Sequence, residues 1–156
     1  MKKLLLTYDV EEFDWSLSGG RPLPVAEQIE ITAKGLRKVL TVHERHHVPA
    51  TFFVTGAFAA AEPELVAETA QAGHEIAVHG LEHRDDYANL EPAIAIDRLK
   101  RARKLVEAAS GQEAVGIRTP RLRSGGEREK GGDRGPPNGS ARIRRLSLDI
   151  HRRVRG

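Results

Sequence analysis

The sequence predicts an α/β domain built on parallel strands. Short apolar runs alternate with stretches of helical periodicity four times before Pro120, as parallel βα architecture requires. The runs also empty into loops that carry acids and histidines, and the carboxyl-terminal strand edge of a parallel sheet is where ligands bind.

Leu4 to Tyr8 reads as a buried first strand, short and apolar, with acids directly after it. Val25 to Arg45 has helical periodicity, with Val25, Ile29, Leu36, Val39 and Leu40 on one face and Pro24 at the first turn. Val48 to Val54 is rich in β-branched and aromatic residues and predicts a second strand, ended by Gly56. Glu62 to Ala72 reads as a helix opened by Pro63 and stopped by Gly73. Glu75 to Val78 predicts a third strand that runs into His79. Leu90 to Ala109 predicts a long helix carrying Ile94, Leu99, Leu105 and Val106, closed by Ser110-Gly111. Ala114 to Ile117 predicts a fourth strand, running into Arg118-Thr119-Pro120.

The net charge of +3 hides two kinds of sequence. Residues 121–156 hold ten Arg and one Lys against four acids, or +7, whereas residues 1–120 hold 14 basic and 18 acidic residues, or −4. Seven of the fifteen glycines also fall in the last 36 residues, and the run from Ser124 to Ser140 is too poor in apolar residues to form a core. We therefore expect a folded domain over 1–123 and a disordered, low-complexity basic tail over 124–156, in which Ile143 to Val154 forms at most a short basic helix. The basic balance belongs to the tail and gives no reason for the body to bind nucleic acid. Cysteine is absent, which excludes thiolate ligands and leaves nitrogen and oxygen donors for any metal. Met1-Lys2-Lys3 and Leu4-Leu5-Leu6 imitate a signal peptide, but the apolar run stops at Asp9, short of the roughly 7–15 residues an h-region needs. No stretch approaches the roughly 20 apolar residues of a membrane span, and the expected location is the cytoplasm.

His79 and His83 directly follow one apolar run, and Asp9, Glu11 and Glu12 directly follow another. Two imidazoles and a carboxylate are a common catalytic zinc set with a position left open for water, so these residues point to a metal-dependent hydrolase. Residues two apart on an extended segment point the same way, so Asp9 and Glu11 face one site and Glu12 faces away. Phe13 and Trp15 are placed either to stack on a ligand near the site or to pack within their loop. His43, His46 and His47 cluster at the end of the first long helix, the pattern of a solvated terminus where protonated histidine suits the helix dipole.

Three loop motifs at strand ends resemble one family, the polysaccharide deacetylases or NodB-like carbohydrate esterases. Thr7-Tyr8-Asp9-Val10-Glu11 stands where that family has Thr-Phe-Asp-Asp, His79-Gly80-Leu81-Glu82-His83 matches His-x-x-x-His, and Arg118-Thr119-Pro120 matches Arg-x-Pro. Ala50 to Gly56 and Ala72 to His79 are similar to its second and third strands, and the likeness runs from about Lys3 to Arg123. The resemblance implies part of an irregular (β/α) barrel, about four βα units long. It implies a divalent metal, zinc in our reading, held by His79, His83 and one acid, with Asp9 as general base and Arg118 pairing with Asp9 to orient it. Val10 replaces the usual second Asp and cannot ligate, so Glu11 takes the third ligand position, as in branches with an Asp-x-Glu pattern. The implied reaction is removal of N-acetyl groups from a GlcNAc-containing glycan.

The chain departs from the family after Arg-x-Pro, where the late motifs and their general-acid histidine are missing. Leu148-Asp149-Ile150-His151 has a superficial likeness to the late Leu-x-x-His pattern, but it follows Pro120 without the intervening elements, so His151 reads as a tail histidine. This predicts a barrel truncated after Arg-x-Pro, with a tail that resembles translation of a shifted frame. Four strands leave sheet edges open, which invites a homo-oligomer. Two alternatives stand beside the deacetylase reading. One is a non-catalytic remnant whose basic tail binds nucleic acid or other polyanions. The other is a related deacylase acting on a small amide.

Overall fold

The computed structural model describes residues 4–14 and 23–122. In chain order the elements are β1 (Thr7–Val10), α1 (Val25–His46), β2 (Thr51–Val54), α2 (Gly56–Ala61), α3 (Pro63–Gln71), β3 (Glu75–Val78) and α4 (Pro92–Ser110), followed by a single 3-10 turn at Pro120–Leu122. The strands form one parallel sheet in the order β1-β2-β3. Tyr8, Phe52 and Ile76 stand level across it, as do Val10, Val54 and Val78. Because side chains alternate along a strand, these two rows share one face. That face joins residues of all four helices in a single core of Ile29, Leu36, Phe52, Phe58, Leu65, Ile76 and Val106. The other face carries Asp9, Phe53 and Ala77.

The α/β class and the parallel strands agree with the sequence, and several boundaries move. The first strand lies over Thr7–Val10 rather than Leu4–Tyr8, and Leu4 and Leu5 are exposed. The second begins at Thr51 rather than Val48. One cause accounts for both shifts: Val48 is taken up in closing α1, its N–H donating to His43 O and its carbonyl accepting from the His43 ring. Pro49 then has no N–H to give a ladder, so pairing starts where Thr51 N–H donates to Leu6 O. Gly56 ends β2 as expected and also opens α2, a helix the sequence reading missed. Thr55 caps it, its Oγ1 accepting from Phe58 N–H at 3.1 Å.

The expected fourth strand is reduced to a parallel bridge between Val78 and Ile117. Only two hydrogen bonds hold it, Val78 N–H to Gly116 O and Arg118 N–H to Val78 O, and Val115 and Ile117 are left exposed. In α4, Ile94 lies on the exposed side of the first turns and contributes nothing to the core, which is met instead by Ala102, Val106 and, in part, Leu105. Val25 is likewise exposed at the start of α1. Gly73 and Gly111 do stop their helices, with φ of 87° and 68°, values that favour glycine. The tail over 124–156, with His151, and Trp15 lie outside the described residues. Phe13 lines an apolar hollow with Ile31, Leu36 and Val39 beside β1. No helix among the described residues is long and apolar enough to cross a membrane.

The expectation of a solvated histidine cluster fails at His43. Its ring is buried, with Nδ1 donating to Val48 O at 2.6 Å and Nε2 accepting from the Tyr8 hydroxyl at 2.9 Å. It stands edge-on to Tyr8 and to His74, while Tyr8 stacks on Phe52. One turn further on, His46 and His47 are exposed. Helical spacing alone points His43 back at the sheet, a signal visible in the i, i+3, i+7 positions Leu36, Val39 and His43.

Two predictions follow from this packing. Helices α2 and α4 touch where Gly56 meets Ala102: a Cβ on Gly56 would lie 3.1 Å from Ala102 Cα, and Ala102 is fully buried. Ala102→Leu should therefore overpack the contact and lower unfolding free energy by about 1–3 kcal/mol in urea titration. His74 Nδ1 accepts from Ala50 N–H at 3.2 Å, and burial, aided by His43, pushes its pKa below the ordinary 6.5. The unfolded chain thus takes up a proton that the folded protein resists, so stability should fall as pH drops below about 6.5. In urea titrations across that acid range, the decline should be shallower for His74→Gln.

Candidate metal centre

The carboxyl ends of β1 and β3 deliver the metal-capable residues to one place. Glu11 follows β1 and is held in place when Thr32 of α1 donates to its carbonyl at 2.7 Å. His79 follows β3, with its N–H on Val54 O at 2.8 Å. His83 arrives one tight loop later. Glu11 Oε2 lies 2.8 Å from His79 Nε2, and Glu11 Oε1 lies 3.2 Å from His83 Nε2. One donor atom from each of the three falls within 4.8 Å of the others. The two imidazoles stack at 6.2 Å between centroids.

The donor chemistry of this group fits a cation. His79 Nδ1 lies 2.9 Å from Arg118 O. A carbonyl only accepts, so Nδ1 carries a proton, and when the ring is neutral Nε2 turns its lone pair toward Glu11. A lone pair facing a carboxylate is repulsive, and a cation between them removes the repulsion. The carbonyl–histidine contact is also the usual way a ligating imidazole is oriented. His83 Nδ1 is buried and lies 3.1 Å from Asp14 Oδ2 without an aligned hydrogen bond.

Asp9 sits beside this group on the sheet face away from the core. Its Oδ1 accepts from Arg118 Nη1 at 2.5 Å and lies 3.9 Å from His79 Nδ1. Arg118 is itself held on three sides. Nη2 donates to Thr7 Oγ1 at 2.8 Å, the guanidinium lies 4.0 Å above the Phe53 ring, and the backbone N–H pairs with Val78. All five residues expected from the sequence, Asp9, Glu11, His79, His83 and Arg118, thus stand together.

Glu12 turns the other way, as its position on the extended segment predicts, but it is not a bystander. It is buried, accepting from Thr55 Oγ1 at 2.7 Å and, more distantly, from His83 N–H at 3.4 Å. Asp85, Tyr87 and Arg98 were also missed. Asp85 is buried and takes a two-pronged bond from Arg98, Nη2 at 2.6 Å and Nε at 2.9 Å. Burial pushes the Tyr87 phenol up to about 12. The only sequence signal for this group is an acid placed just after His-x-x-x-His, because the arginine comes from a separate helix. A cleft of about 700 Å³ lined by His43, His47 and His74 sits at the opposite strand ends, away from these residues.

The family model described as polysaccharide deacetylase matches residues 2–128. A chitooligosaccharide deacetylase of Bradyrhizobium sp. is 40% identical over 74 residues, which is 47% of this chain and 33% of that protein. The chain therefore spans about a third of that relative. Among solved structures, a family 4 carbohydrate esterase from Streptomyces lividans in complex with acetate aligns with a TM-score of 0.59 at 22% identity, covering 78% of this chain and 52% of the other. A CE4 family pseudoenzyme from Bacillus anthracis aligns with a TM-score of 0.57 at 19% identity, covering 77% and 36%. At these identities the two structures speak for the fold alone. Since the family model covers most of the sequence, the chain belongs to the polysaccharide deacetylase family.

Proposed function

We propose that this chain carries the metal-holding and proton-accepting part of a hydrolase that removes N-acetyl groups from a GlcNAc-containing glycan. The convergence of one oxygen of Glu11 with Nε2 of His79 and Nε2 of His83 carries the reading. Kinship to a protein named a chitooligosaccharide deacetylase supports the substrate class. In this reading Glu11, His79 and His83 hold one divalent metal, zinc, Asp9 is the general base, and Arg118 orients it.

A divalent ion held there would polarise the acetamide carbonyl and lower the pKa of water from about 16 toward about 7. Asp9, beside the ligands but outside their set, accepts the proton of the attacking water. Arg118 fixes the Asp9 carboxylate in one rotamer through its 2.5 Å bond, so the base does not have to be ordered during attack. His79 is kept in the tautomer that presents Nε2 by the Arg118 carbonyl. Departure of the amine needs a further proton donor beyond these five residues.

Metal content and acetate release from chitooligosaccharides test the proposal. The chain should bind one equivalent of zinc, and His79→Ala and His83→Ala should each abolish that binding. Stoichiometric zinc in either variant would refute the ligand set. Asp9→Asn should keep the zinc of the unaltered chain and slow acetate release by about 100-fold or more. Undiminished release in that variant would remove Asp9 as the base.

A further inference from the structure

The loop between the two histidines is fixed from both sides. On one side, Gly56 and Ala57 at the start of α2 donate to Gly80 O at 3.0 Å and Leu81 O at 2.8 Å. On the other, Leu81 N–H donates to the Tyr87 hydroxyl at 3.0 Å, and Glu82 N–H donates to Asp85 Oδ2 at 3.2 Å. The Tyr87 hydroxyl donates in turn to Asp85 Oδ2 at 3.1 Å. Arg98 of α4 clamps Asp85 with two bonds and lies 3.6 Å from Glu82 Oε1. Gly80 takes φ of 84°, and a Cβ there would lie 2.9 Å from Tyr87 Cε2. The Tyr87 ring therefore lies directly against the loop backbone, and Leu81, Asp85 and Tyr87 are all buried.

His79 does not need this assembly, since β2 holds its N–H and Arg118 holds its ring. His83 stands at the far end of the braced segment: its ring nitrogens lie against Glu11 and Asp14, and its backbone N–H donates to Glu12 at a long 3.4 Å. We propose that Tyr87, backed by Asp85 and Arg98, is a positioning residue that sets where His83 stands relative to His79. The proposal rests on the reading of Glu11, His79 and His83 as metal ligands. Removing the hydroxyl leaves the ring in place, leaves the buried Leu81 N–H without its acceptor and takes one donor from Asp85. The loop then relaxes at its His83 end.

Zinc affinity of the full chain, measured by chelator competition, is compared for the unaltered protein, Tyr87→Phe and Arg98→Lys. Imidazole nitrogen resonances of metal-free protein are recorded for the same set. The expected result is affinity weakened about 10–100-fold in Tyr87→Phe, the range for loss of a group that orients a ligand. Arg98→Lys should weaken it in the same direction, which covers the case of a poorly folding Tyr87 variant. The His83 resonances should move while those of His79 stay in place, a pattern that a general loss of stability does not produce. Unchanged affinity with unmoved His83 resonances in Tyr87→Phe overturns the brace and leaves the ligand set standing. If the unaltered chain binds no zinc, the ligand reading falls, and the metal-free resonances decide the brace: a shift confined to His83 supports it and no shift overturns it.

Discussion

Val10, Val54 and Val78 stand level because their strands are parallel and paired without a slip. The next residues along each strand, Glu11, Thr55 and His79, therefore leave the sheet at one height and on one edge. A slip of one residue by β1 against β2 would turn Asp9 into the core and send Tyr8 and Val10 to the open face, and a slip by β3 would do the same to Ile76 and Val78, because side-chain direction reverses at each step. The apolar rows make that shift costly. Burial of Phe52, Val54, Ile76 and Val78 against the helices thus fixes where the acids and histidines stand.

Above the sheet, the loops are ordered by polar groups with little access to water. Glu12 joins the end of β1 to Thr55 at the start of α2, and Asp85 joins the histidine loop to α4 through Arg98. Buried charges are costly unless bonded, so each makes the position of its partners strongly preferred. The two acids hold adjacent N–H groups of the same loop, Asp85 that of Glu82 and Glu12 that of His83. Precision at the three proposed ligands comes from this surrounding layer as much as from the strands, as a ligand set with a short reach requires.

Much of this was legible in the chain. The alternation of apolar runs and helical periods specified the parallel class, and the three loop motifs named the five residues that meet. Glu75 to Val78 was bounded correctly because Gly73 and His79 mark its ends. What could not be read were features set by specific partners. The late start of β2 depends on Val48 being claimed by α1, and the partner of the His43 ring, Tyr8, stands 35 residues away. Helix α2 is six residues long, five of them Gly or Ala, too short for a periodicity to reveal it. The bond between Asp85 and Arg98 requires knowing how α4 lies across the loop, which no local pattern states.

Arg118 reaches the site through two different kinds of atom. Its guanidinium holds Asp9, and its carbonyl holds the ring of His79. Only the first of these is written in the genetic code, since every residue type supplies a carbonyl. Drift at this position would erase the partner of the acid while leaving the histidine's tether in place. On the proposed reading, a descendant chain would keep its three ion-binding residues in place long after its chemistry had lapsed, and ion occupancy alone would be a poor witness to turnover in such a lineage.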